Sequence, residues 1–169
     1  MSATIFTASW RTLAEAGAAG TLDVTPVRIS RGAPKFWPAA AGFAAVDELM
    51  PDGWMMGVYT ATAAKEGPQA AMEKFGRCYR RRLHTQGLTR IQARLDAIAE
   101  QHEGKPLALA CFEDRVEDCH RGPSGFAGWY ERKTGVRVPE LALLTSKEDG
   151  NRPALVYEVA VAMAEAVAA

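Results

Sequence analysis

The sequence predicts a single three-layer α/β domain, with a mainly parallel sheet and helices on both faces. The apolar run at residues 106–112 (PLALACF) has the length and composition of a parallel strand that is covered on both faces. Residues 88–102 repeat apolar side chains every three or four positions, as an amphipathic helix does. Strand-like and helix-like segments alternate along the chain, which is typical of the α/β class.

Four elements are expected before residue 61. Residues 3–9 (ATIFTAS) and 22–30 (LDVTPVRIS) are β-prone, and Pro26 places the second strand at an irregular or edge position. Residues 39–50 are expected to form a short helix, which the following proline ends. Residues 54–60 (WMMGVYT) then predict a further strand.

Helices and strands continue to alternate after that point. They are expected over residues 68–83 (helix), 88–102 (helix), 106–112 (central strand), 126–133 (helix), 136–145 (strand) and 154–168 (helix). Gly87 separates the first two helices, and Gly135 closes the third. Pro153 stands where a first helical residue would, and the last helix is apolar enough to lie against the sheet or a partner chain.

Length and composition indicate one domain over residues 1–169. Its 20 basic and 20 acidic side chains cancel, so no global field draws the protein to nucleic acid or to an anionic membrane. The sequence contains no recognisable signal peptide or membrane span, which predicts a cytoplasmic protein without a membrane partner. Cys78, Cys111 and Cys119 form no CxxC pair, so they are expected to be thiols in a reducing compartment.

The segment CFEDRVEDCHRGPSGF begins where the predicted central strand ends. In open α/β sheets, ligands bind outside the carboxyl ends of the strands, so this segment is a candidate site. Ser124 is expected to cap a helix that starts near Gly125, and free N–H groups there, beside Arg121, attract anions and phosphate above all. The alternative is a capped helix whose arginine forms a structural ion pair.

Cys119 and His120 are the candidate catalytic residues. A thiol beside Arg121 and a helix N-terminus loses its proton more easily than a free cysteine, and His120 is available as its base or acid. The loop of cysteine phosphatases is excluded, because it needs Cys and Arg six apart and the residue six after Cys119 is Gly125. The alternative is that Cys119 is a small buried hydrophobic residue.

A metal site is a third interpretation of the same segment, with Cys111, Glu113, Cys119 and His120 as ligands. Adjacent Cys and His side chains rarely enclose one tetrahedral ion, and zinc ligands usually come in two spaced pairs. We therefore predict no metal and no cofactor.

A second basic loop lies at the end of the second predicted strand (VRISRGAPKFW). Arg28, Ser30, Arg31 and Lys35 are expected to reach the same crevice as Arg121 if the sheet is parallel. Arginine suits such a site because its planar fork binds phosphate or carboxylate oxygens in pairs. The alternative is a solvated turn.

The third basic feature is a stripe on the two consecutive helices before the central strand. Its members are Lys74, Arg77, Arg80, Arg81, Arg82, Arg90 and Arg94. Such a stripe can follow a nucleic-acid backbone, with Tyr79 or His84 stacked on a base. The alternative is a helix face that is charged because it faces water.

At these residues, the sequence resembles the domain of unknown function family 488, a group of uncharacterised small α/β proteins. The resemblance rests on the order of the segments TIFTASW, VRISRGAPKF and LALACFEDRVEDCHR, and it covers Ile5 to about Arg132. The helix expected at about residues 153–168 lies beyond this family-like region and is an addition to it. The site candidates that it implies are Arg28, Ser30, Arg31, Cys111, Glu113, Cys119, His120 and Arg121.

The family implies a compact α/β fold and supplies no reaction. This chain departs from its relatives in the segment GPSGFAGWY, where they tend to continue with an aliphatic helix. The departure puts the form of the pocket beyond Arg121 in doubt.

The function that these observations predict first is binding, or chemistry, on a phosphate-bearing ligand at the Cys-His-Arg loop, with a nucleotide or nucleic acid as the ligand class. The second is a non-enzymatic nucleic-acid or protein adaptor that uses the basic stripe. The third is a structural interaction protein in which Cys119 and His120 complete the core. The sequence does not decide between enzyme and binding protein, or between monomer and homodimer.

Overall fold

In the computed structural model of the protein, the described residues are 2–112, 125–145 and 153–157. Among them, three parallel strands form a sheet in the order β1 (Ile5–Ser9), β3 (Leu107–Cys111), β2 (Thr25–Arg28). The mixed α/β class, the parallel pairing and the central position of β3 confirm the prediction. Pro26 lies in β2 at the edge of this sheet, where its missing N–H costs no ladder hydrogen bond.

β3 is the central strand of this sheet, and all of its side chains are buried, as its continuous apolar sequence predicts. Leu107, Leu109 and Cys111 belong to one core cluster, and Ala108 and Ala110 belong to another. Successive side chains of a strand point to opposite faces, so β3 supplies both clusters from alternate positions. The complete three-layer arrangement stays a prediction.

Helix α1 (Trp10–Ala19) follows β1 without a loop and was not expected from the sequence. Ser9 caps it, since the Thr12 N–H donates to Ser9 Oγ at 3.1 Å. Gly20 ends it with a φ of 71°, a left-handed conformation that favours glycine. Both signals, a serine before the helix and a glycine after it, stand in the sequence.

Helices α3 (Pro68–Gln86) and α4 (Leu88–Gln101) confirm the two amphipathic helices predicted on either side of Gly87. Their buried faces contact the sheet through the cluster that contains Leu109. The members that α3 and α4 contribute to this cluster are Tyr79, Leu83, Ile91, Leu95, Ile98 and Ala99.

The strand predicted over residues 54–60 is wrong, because these residues belong to helix α2 (Gly53–Glu66). Tyr59 stacks edge-on against Phe75 of α3 at a centroid distance of 6.4 Å, and Met55 is buried. Contacts with α3 thus decide the conformation against the β propensity of Trp, Val, Tyr and Thr, which is a weak and context-dependent preference.

The single helix predicted over residues 39–50 is also wrong. Two short 3-10 helices, Pro38–Gly42 and Asp47–Leu49, stand in its place. Between them the chain runs beside β2, where the Arg28 N–H donates to Ala44 O at 2.8 Å and the Val46 N–H donates to Arg28 O at 3.1 Å. Pairing with the open edge of β2 satisfies backbone groups there and interrupts the helix.

Helix α5 (Phe126–Thr134) confirms the prediction for residues 126–133, and Gly135 closes it with a φ of 73°. Strand β4 (Leu141–Thr145) occupies the second half of the strand predicted over 136–145. Strand β5 (Pro153–Tyr157) pairs antiparallel with β4.

The prediction of a C-terminal helix over residues 154–168 is therefore wrong for its first residues, which belong to β5. Leu155, Val156 and Tyr157 favour a strand, and a proline is tolerated as its first residue. The rest of that predicted helix, residues 158–168, lies outside the described residues.

The described helices are short or strongly charged. The longest, α3, has 19 residues and carries four arginines, whereas the more apolar α2 has only 14 residues. Within residues 2–112, 125–145 and 153–157, no helix has the combination of length and hydropathy that crossing a bilayer requires.

Candidate functional site

The carboxyl ends of β1, β2 and β3 lie at one edge of the sheet, because the three strands are parallel and in register. Ser9 pairs with Cys111 in that register, and Arg28 pairs with Ala110. One residue later, the Ile29 N–H donates to Ala110 O at 3.3 Å. The basic loop after β2 and the chain that leaves β3 therefore start side by side.

The geometry given above does not include the predicted site residues that follow β3, because the structure describes none of residues 113–124. Glu113, Cys119, His120, Arg121 and Ser124 lie outside the described residues, so their convergence with the loop after β2 stays a prediction.

The chain resumes at Gly125, the buried residue just before α5. Gly125 has ordinary extended dihedral angles, and its carbonyl accepts a hydrogen bond from the Trp129 N–H at 3.2 Å. Phe126 and Trp129 of α5 belong to the same core cluster as Cys111. Both ends of the Cys-His-Arg segment are thus attached to one core cluster, while a role of Gly125 as a ligand contact stays a prediction.

Helix α5 is also anchored to α4. The Tyr130 hydroxyl donates to Gln92 Oε1, and the Gln92 amide donates to Asp96 Oδ1 at 2.7 Å. Burial raises the pKa of Tyr130 above its usual value, an effect that a hydrogen bond with Ser2 opposes and the charge of Asp96 reinforces. A neutral Tyr130 hydroxyl is therefore available as a donor at ordinary pH.

Arg28 is the residue of the basic loop whose environment best suits an anion. Its backbone is tied on both sides to residues 44–46, and its side chain is partly buried. The Arg28 Nη1 atom lies 3.5 Å from the carbonyl oxygen of Arg31, which is a long contact. The Arg28 Nε atom is buried and has no hydrogen-bond partner, and no carboxylate forms a salt bridge with Arg28, among the described residues.

Ser30 serves the turn that carries these arginines. Its hydroxyl accepts a hydrogen bond from Trp10 Nε1 at 3.1 Å and donates one to Gly32 O at 2.8 Å, and the residue is only 8% exposed. Its assignment as a ligand contact stays a prediction.

Arg31 is exposed and lies against the start of α2. Its Nη1 atom donates to Pro51 O at 3.4 Å, and a Cβ atom at Gly53 would lie 3.5 Å from Arg31 Cζ. The guanidinium group therefore rests on backbone at residues 51–53 and keeps other N–H groups for solvent or a ligand.

Arg31 and Arg82 line an open cleft of about 230 Å³ together with Asp47, Met50, Pro51 and Asp52. Arg82 Nη1 lies 2.6 Å from Asp52 Oδ1, and Arg82 Nη2 donates to Asp47 O at 2.8 Å. The carboxylate of Asp52 compensates the charge of Arg82 in this cleft, whereas Arg28 and Arg31 form no ion pair among the described residues. The sequence analysis did not single out Asp47 and Asp52 as neighbours of the basic loop.

The basic stripe divides into two parts. In the first, arginines of α3 and α4 hold residues 45–52: besides Arg82, Arg90 Nε lies 3.0 Å from Glu48 Oε1, and Arg94 Nη2 donates to Ala45 O at 3.3 Å. Tyr79 joins them, because its buried hydroxyl donates to Leu49 O at 2.6 Å. Tyr79 thus has no ring face free to stack on a base.

The second part of the stripe consists of Lys74, Arg77, Arg80 and Arg81. Arg77 and Arg81 are exposed, and Arg80 is half-buried. His84 is exposed as well, but its ring stands edge-on to Trp129 at a centroid distance of 6.0 Å. A nucleic-acid interface on this stripe, including Arg90 and Arg94, stays a prediction.

The contacts of Arg82 predict its effect on stability. Arg82→Gln is expected to destabilise the protein by about 1–2 kcal/mol, because it removes a partly exposed ion pair and a hydrogen bond from a charged donor. Urea denaturation followed by circular dichroism measures this difference. Arg81→Gln, on the exposed side of the same helix, is the matched control and is expected to cost less than about 0.5 kcal/mol. Equal stabilities of the two variants would show that Arg82 does not hold residues 45–52.

Within the part of the chain that the structure describes, no group of three or more His, Cys, Asp or Glu side chains is placed to hold a metal ion. Cys78 is half-buried and Cys111 is buried. The other metal ligands that the sequence suggested, Glu113, Cys119 and His120, lie outside the described residues.

Comparisons of this chain with family models, curated proteins and solved structures found no match. The resemblance to the domain of unknown function family 488 therefore stays a prediction that rests on the quoted segments.

Proposed function

We propose that the protein binds, or acts on, a phosphate-bearing ligand at the carboxyl edge of its parallel sheet. Arg28 is the principal contact to the anion, with Arg31 as a second contact from the same loop. In this proposal Arg121 and the helix start at Ser124 and Gly125 complete the site from the other side of the crevice. We also propose that the protein acts in the cytoplasm.

The observation that carries the proposal is the state of the Arg28 side chain. A buried N–H group without an acceptor costs free energy, and natural proteins satisfy nearly all such groups. Arg28 keeps a buried, unpaired Nε among the described residues and forms no salt bridge there. Phosphate oxygens supply both the acceptor and the negative charge that this guanidinium group lacks.

The position of Arg28 supports the same conclusion. It is the last residue of β2 and pairs in register with Ala110 of β3, next to the point where the Cys-His-Arg segment leaves the sheet. Ligands of open α/β sheets bind at this edge. The proposal assigns Cys119 and His120 a place beside the reacting group, as nucleophile and as base or acid.

Substitution of Arg28 tests the proposal. Arg28→Ala is expected to weaken the binding of ribose 5-phosphate or a nucleoside monophosphate at least tenfold, since a hydrogen bond to a charged group contributes about 1.5–3 kcal/mol. Isothermal titration calorimetry at constant ionic strength measures the affinities. Arg121→Ala is expected to have an effect of the same direction, and thermal melting of each variant confirms that it folds.

Arg81→Ala is the matched control, because it removes an exposed arginine far along α3. Unchanged binding in Arg28→Ala would contradict the proposal. Binding of oligonucleotides that depends on Arg81, falls steeply with salt and ignores Arg28 would instead favour the adaptor that uses the basic stripe.

A further inference from the structure

An open groove runs along the outer face of α1, beside the loop that carries Arg28 and Arg31. Its volume is about 370 Å³, and it is lined by Arg11, Ala14, Glu15, Ala18 and Phe36. The groove takes no part in the anion site described above.

Phe36 is the unusual residue of this groove. It is 62% exposed, although it directly follows Lys35 in the basic loop and neighbours the core aromatic Trp37. Trp37 packs against Trp10 and Phe43, at centroid distances of 6.2 and 5.0 Å, whereas Phe36 is not a member of that core cluster. A large exposed aromatic ring between small side chains offers a flat surface on which another ring can stack.

The opposite wall of the groove carries two small side chains, so a ligand can come close to the helix backbone there. Ala14 and Ala18 are four residues apart, so they lie on one face of α1 and leave the space beside Phe36 open. Glu15 lies on the same face and supplies a hydrogen-bond acceptor. A planar ring with polar edges fits this combination better than an aliphatic chain does.

One end of the groove lies at the carboxyl edge of the sheet. Helix α1 starts directly after β1, so Arg11 lies at the carboxyl edge of the sheet, the edge at which Arg28 lies. Ala18 is seven residues further along, which is about 10 Å at 1.5 Å per residue. The groove thus extends along α1 from the edge of the sheet at which Arg28 lies.

We propose that this groove binds the base of a nucleotide whose phosphate lies at Arg28 and Arg31. The base stacks on Phe36 between Ala14 and Ala18, and Glu15 accepts a hydrogen bond from an exocyclic amino group. This inference rests on the proposed function and deepens it, because it names a nucleotide with an amino-bearing base as the ligand.

The test compares four ligands by calorimetry: AMP, adenosine, ribose 5-phosphate and inorganic phosphate. AMP is expected to bind more tightly than ribose 5-phosphate. Phe36→Ala is expected to weaken AMP and adenosine at least fivefold, as the loss of base–aromatic stacking does in other proteins. Its affinities for ribose 5-phosphate and inorganic phosphate are expected to stay unchanged.

Trp54→Ala is the matched control, since it removes another exposed aromatic side chain, on α2 and outside the groove. The nucleobase groove is overturned if AMP binds no more tightly than ribose 5-phosphate, or if Phe36→Ala leaves AMP affinity unchanged. Concentration-dependent dimers that Phe36→Ala dissolves would assign the groove to a second copy of the chain and overturn it too.

The same titrations separate this inference from the proposed function. Adenosine binding that depends on Phe36, together with phosphate binding that ignores Arg28, would uphold the groove and contradict the anion site. Phosphate binding that depends on Arg28, without any effect of Phe36, would do the reverse.

Discussion

Trp10→Ala is expected to destabilise the protein by about 3–5 kcal/mol, the range for large aromatic side chains deleted from a core. Trp10 is completely buried, and its ring packs against Trp37 and Phe43 at centroid distances of 6.2 and 6.3 Å. The substitution also leaves Ser30 Oγ without the N–H of Trp10. Urea denaturation at 25 °C, followed by circular dichroism, measures the difference in free energy of unfolding.

Two further variants divide the effect of Trp10 into its parts. Trp10→Phe keeps most of the apolar contact and removes the hydrogen bond to Ser30, so a smaller loss of about 1–3 kcal/mol is expected. Trp54→Ala is the control for an exposed tryptophan and is expected to change stability by less than about 0.5 kcal/mol. Similar losses in Trp10→Ala and Trp54→Ala would contradict the burial described for Trp10.

Thr7→Val is expected to destabilise the protein by about 1.5–3 kcal/mol, although it preserves the shape of the side chain. Thr7 lies in β1, is fully buried, and donates its hydroxyl hydrogen to Glu140 Oε2. Glu140 is also buried, at the point where the chain before β4 meets β1. Removing the donor leaves a buried carboxyl oxygen without it, which costs more than an exposed hydrogen bond does.

A double-mutant cycle isolates this interaction. In the Glu140→Gln background, Thr7→Val is expected to cost less, because the acceptor is then a neutral amide oxygen. Thr60→Val is the control, since the Thr60 hydroxyl bonds Met56 O on an exposed face of α2. The interpretation fails if Thr7→Val is no more destabilising than Thr60→Val, or if its cost is the same in both backgrounds.

Two elements show how far local pattern predicts this fold. β3 was predicted correctly because a continuous apolar run between a helix and a charged segment is compatible with few structures other than a buried strand. α4 was predicted correctly because its apolar positions keep a helical spacing from Leu88 to Ile98, over about three turns. In both, the pattern that directs burial and the local preference of the residues agree.

The errors fall where these two signals conflict. Residues 54–60 have β-prone side chains but form a helix, because α3 offers an apolar surface to Met55 and Tyr59. Differences in β propensity span only about 1 kcal/mol, which such packing exceeds. The strand β5 is the opposite case, since its alanine-rich surroundings suggested a helix and pairing with β4 decided otherwise.

For the candidate site, too, one part follows from the sequence and another part does not. Its location at the end of β2 follows from the sequence, since arginines after a predicted parallel strand must lie at the carboxyl edge. The state of each arginine does not follow from it. Arg82 forms an ion pair with Asp52 and Arg90 forms one with Glu48, across separations of 30 or more positions, while Arg28 forms no salt bridge among the described residues.

The sequence by itself determined the class of the fold, the central strand, the two amphipathic helices and the edge at which the basic loop lies. These features depend on patterns within one segment, which the chain carries into any environment. Only the tertiary structure decided that residues 53–66 are helical, that Arg82, Arg90 and Arg94 of the basic stripe hold residues 45–52, and that Phe36 borders a groove. Each of those outcomes depends on which distant groups the folded chain brings into contact, and local propensities are too weak to specify them.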